Sequence, residues 1–218
     1  MSLKSTNSNL PKERFREISL KKLKCAADEK YFKNSHTVVK SLEKILKLLR
    51  FKTIALYIPL KIEVDIRTIF PKLRRDKIIY VPFMECVSFK LVKYRLPVWK
   101  KKFNILEPAD SCRFRQKVDI IVVPVIGVDG DLRRVGFGKG MYDRFFATLK
   151  PQPFTIFVQL IKCYTQDKLC EAYDIQADIY ITPTDIIIKR GKNGFRDRSR
   201  SIYSGSNRSG RIYNSKKA

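Results

Sequence analysis

Glycine is absent from the first 126 residues of this 218-residue chain, and five of its nine glycines then fall between Gly127 and Gly140. The cluster follows Val118–Val125 (VDIIVVPV), a short, β-branched, wholly apolar run that reads as a buried strand. It precedes MYDRFFATLK, where Phe145, Phe146 and Leu149 share one side of a predicted helix over Met141–Leu149. Glycines let backbone N–H groups approach phosphate oxygens, and a helix start adds a favourable dipole. Arg134 and Lys139 bring positive charge to the same place, and Asp143 in the first helical turn suits a magnesium ion. The loop Arg134–Asp143 is therefore expected to hold a nucleoside triphosphate. It is neither a Walker A loop nor Gly-x-Gly-x-x-Gly, because Met141 occupies the third glycine position. The plainer alternative is a flexible strand–helix turn with solvated charges, but three closely spaced glycines with Lys, Arg and Asp exceed what a turn requires.

Around this loop, apolar strands alternate with helical patterns. A helix is predicted from Pro11 through residue 32, with an imperfect stripe of Phe15, Ile18, Leu20 and Leu23. A second spans about 35–50, with Val38, Val39, Leu42, Ile45, Leu46 and Leu49 at helical spacing and Ser35 as N-cap. Thr53–Pro59, Lys77–Phe83, Val87–Tyr94, Phe154–Leu160 and Ile179–Thr182 read as strands, and Glu63–Leu73 as a short helix. The pattern predicts an α/β fold, a single layered domain over residues 11–190 with a mostly parallel sheet flanked by helices. Residues 1–10 read as a disordered lead. Residues 191–218 are Ser, Gly, Asn and Arg with few large apolar groups, too few to offset ordering entropy, and read as a disordered basic tail.

A net charge of +25 implies attraction to polyanions without saying which. Ten Lys or Arg against one acid, Asp197, lie from Lys189 onward, and the rest is spread over the body. Five cysteines at irregular spacing, with no Cys-x-x-Cys pair, argue against a disulfide framework or structural zinc and for reduced thiols in a cytoplasm. No apolar run approaches the roughly 18 residues a membrane span needs, and no signal peptide is visible.

The run Arg134-Val-Gly136-Phe-Gly138-Lys139-Gly140-Met141-Tyr142-Asp143-Arg144 resembles the signature of 5-formyltetrahydrofolate cyclo-ligases, typically Arg-Leu-Gly-Tyr-Gly-Lys/Gly-Gly-Tyr-Tyr-Asp-Arg. Other landmarks recur in order: Lys12 and Arg16 in the first helix, Tyr57-Ile58-Pro59 with Glu63, Ile105-Leu106-Glu107-Pro108, Val-Pro-Val-Ile-Gly-Val-Asp129, and Ala177-Asp178-Ile-Tyr-Ile-Thr182. The resemblance spans roughly residues 12–190, and the glycine loop is its specific part. Two positions depart from it. Leu132 stands where a glycine is usual in the turn after the aspartate, and Met141 replaces the first of two tyrosines.

The resemblance implies ATP-dependent cyclisation of 5-formyltetrahydrofolate, with or without its polyglutamate tail, to 5,10-methenyltetrahydrofolate, with ADP and phosphate released. It implies ATP bound by Lys12, Arg16, Arg134, Gly136, Gly138, Lys139, Gly140 and Tyr142, with Lys139 and Arg134 catalytic. Folate contacts would come from Ile58, Glu63, Phe137, Met141 and Tyr142, and magnesium ligands from Asp143 and Asp174. A cytoplasmic monomer that needs neither membrane nor nucleic acid is expected. Taken alone, Lys12 and Arg16 read as a solvated helix face, Glu63 as a first-turn acid, Asp174 as a loop acid, His36 as structural or capping, and Trp99 as loop packing. The rival reading is a nucleic-acid binder whose charge and basic tail carry affinity. A third is an ATP-binding relative with another substrate, for which Met141 is the motive.

Overall fold

The computed structural model describes residues 11–85, 88–95, 98–100, 106–108 and 117–189, with only the backbone of the fourth and fifth strands. The expected lead, the tail, Cys86, Cys112, Ile105 and the Trp99 side chain lie outside the described residues.

Two long helices open the chain, α1 (Lys12–Glu29) and α2 (Tyr31–Leu48). The strands β1 (Thr53–Ala55), β2 (Ile78–Met84), β3 (Phe89–Lys93), β6 (Ile120–Pro124), β9 (Phe154–Val158), β10 (Ile179–Ile181) and β11 (Ile186–Ile188) form one sheet in the order β11-β10-β9-β6-β1-β2-β3. The five inner strands run parallel and only the two edge strands are antiparallel, as the apolar runs predict. A two-stranded pair joins β4 (Val98–Lys100) to β5 (Leu106–Pro108), and a second joins β7 (Gly127–Val128) to β8 (Arg134–Val135). Short helices α3 (Phe70–Leu73) and α4 (Met141–Ala147) complete the set.

Both sheet faces are covered, and strand alternation decides which residue serves which layer. Ile54, Ile79, Val81, Ile120, Val122 and Ile156 pack in one cluster with Leu23, Val38, Leu42 and Ile45 of α1 and α2. Ala55, Tyr80, Ile121, Val123, Phe157 and Tyr180 point the other way, to Phe145 and Phe146 of α4. Continuous apolar strands are what a two-sided burial demands. Asp119 fastens the start of β6 to β1, its Oδ2 accepting from the Lys52 and Thr53 N–H groups at 2.8 Å each and from the Thr53 hydroxyl at 2.9 Å.

The order in which strands are added reverses between the parallel neighbours β1 and β6. From β1 the chain proceeds to β2 on one side, and from β6 to β9 on the other. In open parallel sheets, ligands bind beyond the carboxyl ends of strands at such a switch point.

Three local expectations are corrected. The first two helices meet at Lys30, so Ser35 lies inside α2 rather than capping it; its Oγ accepts from Asp65 N–H at 3.1 Å. His36 is likewise inside α2 and exposed, so it caps nothing. Glu63–Leu73 is not one helix: a turn at residues 61–63 leads to a 3₁₀ turn over Arg67–Ile69 and then α3, whose second residue is Pro71. A proline removes one N–H and suits a helix start, not its middle.

Candidate functional site

The hairpin β7–β8 stands between the central strand and the glycine loop. Asp129, fully buried, builds its turn: Oδ1 accepts from Asp131 N–H at 3.1 Å and Arg133 N–H at 2.8 Å, while Oδ2 accepts from Cys170 N–H at 3.0 Å. Leu132 completes the turn with φ of 59°, the left-handed region in which a glycine would be at ease. The hairpin delivers Arg134 on β8, where its side chain is 93% removed from solvent at 7% exposure. Its Nε donates to the Pro124 carbonyl at 3.3 Å, and its guanidinium lies 4.7 Å from the Tyr142 ring centroid. Burial lowers its pKa, while Tyr142, Asp143, Glu63 and Asp174 favour its charge.

The glycines have separate duties. A Cβ at Gly136 would come within 2.4 Å of Arg134 Nη1, so the bare backbone makes room for that guanidinium. Gly138 and Gly140 have φ of 90° and 60°, and Gly140 opens α4. From the other layer, α1 reaches across: Arg16 Nε donates to the Gly136 carbonyl at 2.8 Å, and Lys12 Nζ meets Asp174 Oδ2 at 2.6 Å. Partial burial pulls the Lys12 pKa down, the bond to Asp174 pushes it up, and the net shift is upward. Asp174 Oδ2 also accepts from Glu171 N–H at 2.8 Å, and Asp143 Oδ1 from Ile175 N–H at 3.4 Å.

Two cavities flank the loop. A groove of about 900 Å³ is lined by Lys12, Arg16, Gly136, Gly138, Asp143 and Asp174, all of them sequence-predicted, and by Arg133, Arg144, Gln176 and Lys189, which were not. The second cavity, about 330 Å³, is mostly apolar and lies at the β1/β6 switch point, lined by Tyr57, Ile58 and Pro124 from the carboxyl ends of those strands. Glu63, Phe137, Met141 and Tyr142, the residues the resemblance assigns to folate, line this one cavity together with Leu60, Pro82, Met84 and Phe89. Arg134 and Gly140 line both.

Two sequence expectations shift. Lys139 and Tyr142, expected at the triphosphate, line the apolar cavity and not the groove. Glu63 is no helix first-turn acid; its Oε2 accepts from Leu60 N–H at 2.9 Å and closes a tight turn. Burial raises its carboxyl to about 7, against the opposing pull of the Leu60 N–H and Arg134. Burial also raises the Tyr142 phenol. Such an acid in a cleft beside a guanidinium is what a binding site arranges. No group of three or more His, Cys, Asp or Glu side chains gathers among the described residues. Asp143 and Asp174 do share the groove, where they could hold one metal together with a ligand's oxygens. Of the free thiols among the described residues, Cys25 is exposed and Cys163 buried, while Cys170 lies within electrostatic reach of Lys12 and Asp174, its Sγ 3.4 Å from the Arg134 carbonyl. No helix among the described residues is long and apolar enough to cross a membrane.

Comparison with known proteins meets this geometry. The model of the 5-formyltetrahydrofolate cyclo-ligase family matches residues 9–172. The 5-formyltetrahydrofolate cyclo-ligase of Mycoplasma pneumoniae is 29% identical over 133 residues, 60% of this chain and 72% of that protein. The NMR structure of Aquifex aeolicus 5,10-methenyltetrahydrofolate synthetase superimposes with a TM-score of 0.71 at 28% identity, covering 83% of this chain and 93% of that one. The 5,10-methenyltetrahydrofolate synthetase of M. pneumoniae gives a TM-score of 0.60 at 24% identity, covering 80% of this chain and 99% of that one, and speaks for the fold alone.

Proposed function

The chain belongs to the 5-formyltetrahydrofolate cyclo-ligase family, ATP-dependent ligases that cyclise 5-formyltetrahydrofolate to 5,10-methenyltetrahydrofolate, and we propose that its two cavities divide that reaction between them. The triphosphate occupies the basic groove and the reduced folate the apolar cavity. The shared wall carries this reading: Arg134 and Gly140 line both spaces, so a phosphoryl group at the groove's inner end and an acceptor in the cavity would face the same guanidinium.

The chemistry needs such a junction. A formamide carbon is a poor electrophile and its oxygen a poor leaving group. The formyl oxygen attacks the γ-phosphorus, the P–O bond to ADP breaks, and the formyl carbon becomes iminium-like. N10 then attacks that carbon within the same molecule, loses its proton, and phosphate departs. The protein's share is positioning and neutralising charge. Lys12 and Arg16, with the backbone of Gly136 and Gly138, hold the phosphates. Arg134 faces the transferring group from a water-poor position, where a fixed cation acts most strongly. Lys139 adds its ammonium from the cavity side. Glu63 accepts hydrogen bonds from the pterin ring, while Ile58, Phe137, Met141 and Tyr142 cover its faces.

Magnesium, when bound, would neutralise the phosphate oxygens. Asp143 and Asp174 are the residues to hold it. This ion takes one or two carboxylates and completes its shell with phosphates and water, so the pair fits. Acceptance of polyglutamylated folate, supported by the excess of cations beside the cavity, and a cytoplasmic place, supported by the free thiols among the described residues, belong to the same proposal, as does a monomeric state.

The test is formation of methenyltetrahydrofolate from 5-formyltetrahydrofolate, followed by absorbance, with and without ATP–magnesium. Product should appear only with ATP. No product from folded protein sinks the substrate assignment.

A further inference from the structure

Among the described residues that line the groove, Tyr173 is the large apolar side chain left open to water, at 76% exposure, and nothing in the reaction above uses it. Exposure by itself assigns no partner, since Phe32 is more exposed still at 84%; what sets Tyr173 apart is its place on the groove wall. The turn that carries it is held unusually well. Arg133 Nη1 donates to the carbonyls on both sides of it, Ala172 at 2.8 Å and Asp174 at 2.6 Å. Asp174 N–H bonds the Glu171 carbonyl at 3.1 Å, and the Asp174 carboxylate is tied to Lys12. A phenol ring that is free on its face and fixed at its root is a pre-organised stacking surface.

Its place in the groove says which ring it takes. On the reading above, the γ-phosphoryl must sit at the wall shared with the apolar cavity, beside Arg134. The nucleoside therefore lies at the groove's other end. Tyr173 lines the groove and not the apolar cavity, and it lies within electrostatic reach of Lys12, a phosphate-holding residue. We propose that Tyr173 is the base platform of the nucleotide site, stacking against the purine of ATP while Lys12, Arg16 and the glycine loop hold the phosphates. Stacking on an aromatic face contributes to binding and tolerates any base, so the platform sets affinity for the nucleoside half and leaves the transferred phosphoryl untouched.

This rests on the ligase reading, and the experiment separates the two. Wild type, Tyr173→Ala, Tyr173→Leu and Tyr173→Phe are compared for ATP KM, kcat and folate KM, and for inhibition by inorganic tripolyphosphate, which has phosphates and no base. Tyr173→Ala and Tyr173→Leu should raise the ATP KM about tenfold, a size within the range measured for base stacking. In both, kcat stays within about twofold, and folate KM and the tripolyphosphate constant do not move. Tyr173→Phe should restore the ATP KM. The exposed ring contributes little to folding, and an unchanged melting temperature verifies it. An unchanged ATP KM in the Ala and Leu variants overturns the platform. A tripolyphosphate constant that weakens in step with ATP overturns it too, since the residue would then be acting through Lys12. So does a rise in folate KM alone, which would give the ring to the folate. Failure of the wild type to bind ATP overturns the ligase site itself.

Discussion

The groove and the apolar cavity lie on either side of one guanidinium, yet they treat charge in opposite ways. In the groove, cations meet polar partners: Lys12 pairs with Asp174, Arg16 with the Gly136 carbonyl, Arg133 with two more carbonyls. Held in place by these partners, the cations offer a polyanion a ready counterpart. In the cavity, Glu63 faces apolar walls, and its carboxyl rises to about 7 because burial outweighs its N–H bond from Leu60 and the pull of Arg134. A triphosphate can be captured by many weak cationic contacts; a pterin needs a shaped apolar slot and one well-aimed acceptor. Arg134 belongs to both regimes, and the largest expected effect follows from moving it. Gly136→Ala sets a methyl where Arg134 Nη1 now lies, at 2.4 Å. The guanidinium can swing, so the fold survives and the junction does not. Turnover should fall on the order of a hundredfold, as when one pre-organised donor is lost, with an unchanged far-ultraviolet spectrum. If kcat stays near wild type, Arg134 does not work at the junction.

Glu63→Gln breaks the comparison on the cavity side only. The amide keeps the Leu60 N–H bond through its oxygen but removes the charge. Folate KM should rise about tenfold, in line with loss of one charge-assisted hydrogen bond, while ATP KM stays put. The same variant reports on burial through pH. The folded carboxyl titrates near 7, above its ordinary 4.5, so ionising it costs the fold stability. That cost is absent below about pH 4.5, grows as pH rises, and is complete above 7. Glu63→Gln should therefore melt higher than wild type at pH 8, by up to roughly 3 kcal/mol, and match it near pH 4. Equal melting temperatures at both pH values would show the carboxyl to be solvated.

The two regions were also unequally legible. Five residues of the groove lining come from the ten-residue stretch Arg134–Asp143, whose glycines, cations and aspartate announce a phosphate site, and α1 joins them through the family resemblance at Lys12 and Arg16. The cavity shares that stretch, but its far wall is gathered from Tyr57, Pro82, Met84, Phe89 and Pro124, apolar residues on or just beyond strands β1, β2, β3 and β6. In sequence they read only as core, because nothing local marks which apolar residue ends at a switch point. Lys139 shows the finer limit: side-chain direction in a loop with two positive φ angles follows from the backbone, so a cation expected in the groove faces the cavity. Arg133 was passed over for a similar reason, since its acceptors, the carbonyls around Tyr173, lie about 40 residues away, at separations of 39 and 41.

The smallest effect on turnover, and the sharpest on backbone, is expected behind both regions, at Leu132. Its φ of 59° costs a side-chain-bearing residue about 1 kcal/mol or more, while its side chain is buried at 7% exposure in the α4-side cluster. Burial is worth roughly 2 kcal/mol for a leucine, so the leucine offsets the strain it creates. Leu132→Ala removes the burial and keeps the left-handed penalty. Leu132→Gly removes both, at an added entropic cost of less than about 1 kcal/mol in the unfolded chain. The usual order, in which glycine is worse than alanine, should therefore vanish or invert: Leu132→Gly melts no lower than Leu132→Ala, and both melt below wild type. Because the turn supports Arg134 from outside both cavities, ATP and folate KM should drift together and by less than about threefold. A clear ranking of alanine above glycine would mean that the left-handed turn is not what the fold requires at this position.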